Sequence, residues 1–165
     1  MFGATKYPVY CIFVFPDLGL FLTMLSPTGV KVKQIDRPVR ILIADDHPGI
    51  RKTVRSTLEQ DPRFEVVGEA EDGAEAIREA RRLKPDVVVL NVTMPVLNGL
   101  EAAREIKTSL PKSAIVILSL NMDQLFIEEA KKIGAQAYVA KTEAGKALIK
   151  AIEAALKGDG FVLVE

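Results

Sequence analysis

The stretch Asp86–Gly99, DVVVLNVTMPVLNG, decides how the rest of the chain is read. Its first part is a short β-branched run without polar interruption, which predicts a strand buried on both faces. The run ends on a polar residue, Asn91. Met94-Pro95 then turns the chain, and Asn98-Gly99 opens a helix carrying Ala102, Ala103 and Ile106. A strand covered on both sides belongs to a parallel sheet flanked by helices, so the same unit is expected to repeat.

Working outward, it does. Val39–Ala44 (VRILIA) reads as a first strand, followed by a helix entered at Pro48 with Ile50, Val54 and Leu58 on one face. Phe64–Glu69 is a second strand. Asp72, with Glu75 three residues on, caps a helix bearing Ala76, Ile77, Ala80 and Leu83. Asp86–Leu90 is the third strand. After Pro111, Ala114–Leu120 (AIVILSL) is the fourth, and Asp123 starts a helix with Phe126, Ile127, Ala130 and Ile133 that ends at Gly134. Gln136–Ala140 is the fifth. A last helix buries Ala144, Ala147, Leu148, Ala151, Ile152 and Ala155 before Gly158 and Gly160. Five strands alternating with five helices predict a doubly wound (βα)5 α/β sandwich of flavodoxin-like type, with strand order 2-1-3-4-5.

Residues 1–38 differ in character. Two apolar runs, Val9–Phe15 and Leu18–Leu25, are split by Pro16 and Asp17. The break defeats a spanning helix, which wants about 20 uninterrupted apolar residues. Only Lys6 precedes the first run and no small-residue cleavage site follows, so a signal peptide is not expected either. The expectation is a poorly ordered extension, or sequence upstream of a later start at Met24, with Asp36-Arg37-Pro38 as linker. Residues 39–158 form the domain and 159–165 a tail.

Composition narrows the class. The 165 residues are 48% hydrophobic and 27% charged, in the globular range. Lys plus Arg and Asp plus Glu both number 22, which leaves no global field for nucleic acid or an anionic membrane. With Cys11 the only cysteine and His47 the only histidine, an intrachain disulfide and a Cys- or His-rich metal site are excluded. Reducing, cytoplasmic surroundings are expected.

In such sheets chemistry sits at the carboxyl ends of the strands, where the strand order reverses. There the sequence gathers Asp45-Asp46, Asn91, Ser119 and Lys141. An acid pair suits a divalent cation bound by oxygens, and a hydroxyl with an ammonium suits a small oxyanion such as phosphoryl. Taken singly, each of these residues is what any solvent-facing strand end displays. Together they form a constellation.

The motifs Ile41–Pro48 (ILIADDHP), Asp86–Gly99 and Ala135–Lys141 (AQAYVAK) resemble the receiver domain of bacterial two-component response regulators. The Asp-Asp-His-Pro start and the Lys141-Thr142 junction are similar to the subfamily that carries a C-terminal helix-turn-helix. The resemblance implies a switch phosphorylated by a histidine kinase on an Asp at the end of strand three. It implies magnesium at Asp45, Asp46, the acceptor position and the Thr93 carbonyl. Ser119 would be the hydroxyl that moves to the phosphoryl group, Tyr138 the aromatic rotamer switch, and Lys141 the contact to phosphoryl oxygen or the acceptor.

The acceptor position, however, is Asn91. An amide oxygen is neutral and a poor nucleophile, and one negative charge leaves the metal site. Magnesium, if bound, is expected to be weak, and the domain is expected not to run the normal phosphorylation cycle. Deamidation back to Asp should be slow beside the bulky Val92.

The leading reading is a phosphorylation-independent interaction module, with a histidine kinase, phosphotransfer or output protein as partner, or a second copy of itself. The face formed by the fourth helix, fifth strand and fifth helix, or that of the first and fifth helices, would bind the partner. The alternatives are a conventional receiver whose acceptor was mutated or lies elsewhere, such as Asp46, and a small-ligand sensor. An enzyme is not expected, because no nucleophile–base pair has triad-like spacing and His47 reads as a helix-start residue. The chain stops at Glu165, so DNA binding by this chain is not expected.

Overall fold

Six parallel strands and five helices build the domain in this computed structural model, which describes Arg37–Glu165 and two short strands before it. Those two strands, Cys11–Val14 and Leu20–Thr23, pair antiparallel and belong to a separate unit. The expectation of a poorly ordered segment over residues 1–38 falls mostly outside the described residues. Of the expected linker, Arg37 and Pro38 are described, and Arg37 forks onto Asp86 at 2.7 and 2.8 Å.

The elements of the domain are β1 (Val39–Ala44), α1 (Pro48–Glu59), β2 (Phe64–Ala70), α2 (Gly73–Leu83), β3 (Val87–Leu90) and α3 (Gly99–Ser109). They continue as β4 (Ala114–Ser119), α4 (Gln124–Ile133), β5 (Ala137–Ala140), α5 (Lys146–Lys157) and β6 (Val162–Val164). Sheet order is β2-β1-β3-β4-β5-β6. The first five strands follow the expected topology.

The sixth corrects it. The tail after Gly158 does not trail into solvent: Val162, Leu163 and Val164 pair in parallel with Ala137, Tyr138 and Val139. Three residues are too short to announce a strand by periodicity, and only the open edge of β5 gives them partners. A second correction is smaller. Lys141–Glu143 forms a 3-10 turn and α5 begins at Lys146, so Ala144 is half-buried before the helix rather than within it.

Each face of the sheet carries its own core. Val54 and Leu58 of α1 and Leu148, Ala151 and Ile152 of α5 pack with Ile41, Ile43, Val87, Val89 and Val116 on one side. On the other, Ala76 and Ala80 of α2, Leu100, Ala103 and Ile106 of α3 and Ile127 of α4 cover Leu42, Val88, Leu90, Ile115 and Ile117. These strand residues are all at most 1% exposed, which is why β1, β3 and β4 read as unbroken apolar runs.

The caps follow local chemistry. Asp72 accepts from the Glu75 N–H at 2.7 Å. Asn98 accepts from Leu100 and Glu101 N–H while the Glu101 carboxylate accepts in return, a full capping box. Asp123 caps α4, and Gly134 closes it in the left-handed region at φ 86°.

Candidate functional site

Because β1 and β3 are neighbours, with Ala44 in register with Leu90, the residues that follow them meet at the carboxyl rim of the sheet. Asp45 and Asn91 are thus brought together, and the Asn91 N–H donates to the Ala44 carbonyl at 2.8 Å. Asp45, Asn91 and Ser119 are buried, at 2%, 5% and 2% exposure. Polar side chains this deep require partners. Each has one.

Asn91 is held by its amide hydrogens. Nδ2 donates to Asp46 Oδ1 at 2.9 Å and to the Thr93 carbonyl at 2.6 Å. The orientation of the amide is dictated by these neighbours, since turning Oδ1 toward a carboxylate and a carbonyl would set three acceptors together. Asp46 also has His47 Nδ1 3.0 Å from the same oxygen. Burial opposes ionisation of Asp46, yet the His47 contact, the local backbone and the Asn91 amide together hold its carboxyl below the ordinary range.

Lys141 pairs with the acid turn. Its Nζ lies 2.6 Å from Asp45 Oδ2, and the two side chains are 5% and 3% exposed. Asp45 is the buried carboxylate within reach of the ammonium, and the neutral Asn91 amide carries no charge to compete for it. Asp45 Oδ1 in turn accepts the His47 N–H at 2.9 Å.

The remaining rim residues form a relay. Ser119 Oγ accepts the Asn121 N–H at 3.0 Å, and the Tyr138 hydroxyl donates to the Asn121 carbonyl at 2.6 Å. Tyr138 is fully buried with its ring turned inward, and desolvation raises its pKa above the ordinary value. Asn121 is a residue the sequence reading missed, because its role lies in backbone groups that any residue type carries. Arg51 was missed too. It donates to the Asp45 carbonyl at 2.6 Å and to Glu69 at 3.1 Å, bracing the acid turn from α1.

The loop after Asn91 is built to tight tolerance. Val96 sits at φ 65°, unusual for a β-branched residue, in a γ-turn closed by the Leu97 N–H on the Pro95 carbonyl at 2.7 Å. Gly99 N–H then donates to the Val92 carbonyl at 2.8 Å. A Cβ on Gly99 would fall 1.8 Å from the Asn91 carbonyl oxygen, so only glycine lets α3 approach the strand end this closely.

The donor set can be tested against magnesium on this geometry. Asp45, Asp46 and His47 bring ligand atoms within 4.8 Å of one another. The expected oxygens are already engaged: Asp46 Oδ1 and the Thr93 carbonyl by Asn91, and Asp45 Oδ2 by Lys141. An N–H-bearing nitrogen is no ligand for a hard cation, so Asn91 as oriented adds nothing to the set, and a cation would have to compete with the Asn91 and Lys141 contacts for these oxygens.

Comparison with known proteins agrees with the fold. The profile of the response regulator receiver domain matches residues 41–153. The chain is 32% identical over 127 residues to the transcriptional regulatory protein DegU of Brevibacillus brevis, covering 77% of this chain and 54% of that protein. It is 36% identical over 121 residues to the transcriptional regulatory protein LiaR of Bacillus subtilis, covering 73% and 57%. A crystal structure of a LuxR-family two-component response regulator from Aurantimonas sp. SI85-9A1 superposes with a TM-score of 0.71 at 37% identity, covering 75% of this chain and 89% of that one. This chain belongs to the response regulator receiver domain family of two-component systems. It spans about half the length of the curated regulators it matches. Among the described residues no helix is long and apolar enough to cross a membrane.

Proposed function

We propose that this receiver domain signals without phosphorylation at position 91, by binding a protein partner. The observation that carries the reading is the Asn91 amide, which donates to both Asp46 and the Thr93 carbonyl while Lys141 neutralises Asp45. The rim thereby pairs the Asp45 charge and satisfies its own buried hydrogen bonds. An acceptor carboxylate would instead add a charge beside Asp46 and call for a cation. Asp45, Asp46 and the Thr93 carbonyl are the groups that would hold magnesium, weakly, and the metal would supply charge neutralisation for a phosphoryl oxygen there.

The partner would be a histidine kinase, a phosphotransfer protein, an output protein or a second copy. Leu120 and Leu125, 76% and 74% exposed beside the start of α4, favour the α4 side of the domain as the contact surface. Catalysis is not part of the reading: the Ser119 hydroxyl accepts from Asn121 and His47 faces Asp46, so neither is set against the other.

The test is intact-mass measurement after acetyl phosphate and magnesium, on this chain and on Asn91→Asp. A phosphoryl gain in the variant alone is expected. A gain in both would overturn the reading and place an acceptor elsewhere, with Asp46 first to examine. Thermal unfolding adds a second readout. Without magnesium, Asn91→Asp should cost about 1–3 kcal/mol through lost amide donors and carboxylate repulsion, and magnesium should restore much of it.

A further inference from the structure

We propose that Gly158–Glu165 is a releasable edge strand whose docking on β5 is coupled, through Tyr138, to the Ser119–Asn121 loop at the rim. The inference stands on the docked geometry of β6 and not on the phosphorylation-independent reading, so either can fail alone.

The contacts form one chain. Leu163 is the register partner of Tyr138. In a parallel pair register partners project to the same face, so Leu163 flanks the tyrosine on the side covered by α4. Phe161 packs into the same core cluster as Tyr138, and the Lys131 ammonium of α4 sits 4.9 Å from its ring centroid. Tyr138 passes the contact on through its hydroxyl to the Asn121 carbonyl, and the Asn121 N–H binds Ser119 Oγ. The segment thus covers the β5 edge and closes in the ring, while the ring's far end fixes the loop that follows β4.

The strand is also the part of the sheet most easily lost. It has three residues, against six in β1 and in β4. Val162 and Val164 are half-buried and Leu163 is 39% exposed, whereas all six β4 residues are buried. Its hinge holds Gly158 at φ 77° and Gly160 at φ 92°, two left-handed residues whose freedom is gained back on release. A short strand with few buried contacts opens below the free energy of global unfolding. While docked it closes the β5 edge to a partner; once released it bares Ala137, Tyr138 and Val139 and frees the ring.

Amide hydrogen exchange on the full chain tests this, with NMR signals of the Tyr138 ring and of Ser119 and Asn121 as the second readout. The Val162–Val164 amides should exchange at least tenfold faster than those of β1, β3 and β4, by an opening insensitive to denaturant. Gly160→Val, which places a β-branched residue at φ 92°, should speed them a further tenfold and shift the Tyr138, Ser119 and Asn121 signals, leaving β1 and β3 protected. Leu163→Asp frees the strand from an exposed position, keeps the test open if Gly160→Val fails to fold, and must give the same shifts. Tail amides as protected as those of β4 would overturn the release. A freed tail with unmoved Ser119 and Asn121 signals would overturn the coupling.

Discussion

The two ends of the central sheet handle an acidic side chain in opposite ways. At the amino end, Asp86 before β3 takes the Arg37 guanidinium in a two-pronged pair and the Arg40 N–H at 2.9 Å. That pair is open to water, with side chains 55% and 30% exposed. At the carboxyl end, Lys141 and Asp45 pair at 5% and 3% exposure, beside an acid whose partner is a neutral amide. One end is a clamp that tolerates change. The other is a closed polar network, in which removing any member leaves a buried group without its partner.

The largest effect should separate the two ends. Lys141→Ala leaves Asp45 buried and unpaired, with an expected loss of about 3–5 kcal/mol in denaturant unfolding. Arg37→Ala removes an exposed pair and should cost at most about 1 kcal/mol. Equal losses would break the comparison. Next comes the loop that sets the rim. Gly99→Ala should cost about 1–3 kcal/mol, because the new Cβ meets the Asn91 carbonyl and backbone has to shift. Its structural signature is a moved Asn91 environment, visible in the side-chain amide NMR signals, with the Arg37–Asp86 clamp unchanged.

The smallest effect sharpens the picture of the amino end. Burial opposes ionisation of Asp86, but Arg37 and the Arg40 N–H hold its carboxyl below the ordinary 3.8. A carboxyl depressed in the folded state contributes stability that is present above the unfolded pKa and fades as pH falls through the folded one. Asp86 should therefore lose its contribution only below pH 3.8. Arg37→Ala should raise its folded pKa toward the ordinary value and shrink that acid-dependent contribution, measured by urea unfolding at stepped pH values.

Much of this was legible along the chain. Uninterrupted runs such as Val87–Leu90 can be satisfied only inside a parallel sheet, and Asp72, Asn98 and Asp123 cap the helices they precede. The rim residues were legible by position, since strand ends must carry the chemistry in this topology. Their pairings were not. Lys141 turns to Asp45 because the chain brings an anion to it and position 91 offers none. Arg51 and Asn121 join through backbone carbonyls and N–H groups, which leave no mark on residue type.

By itself, then, the sequence determined the alternation of strands and helices, the two-sided burial of the sheet and the presence of Asn91 at the strand end. Those properties depend on local periodicity and side-chain chemistry, which are written residue by residue. Only the tertiary structure decided that the Asn91 amide bridges Asp46 and Thr93, that Lys141 closes on Asp45, and that Val162–Val164 adds a sixth strand beside Tyr138. Each of these is a choice among partners distant in sequence. It is made by which unsatisfied donor, acceptor or sheet edge the fold carries within reach.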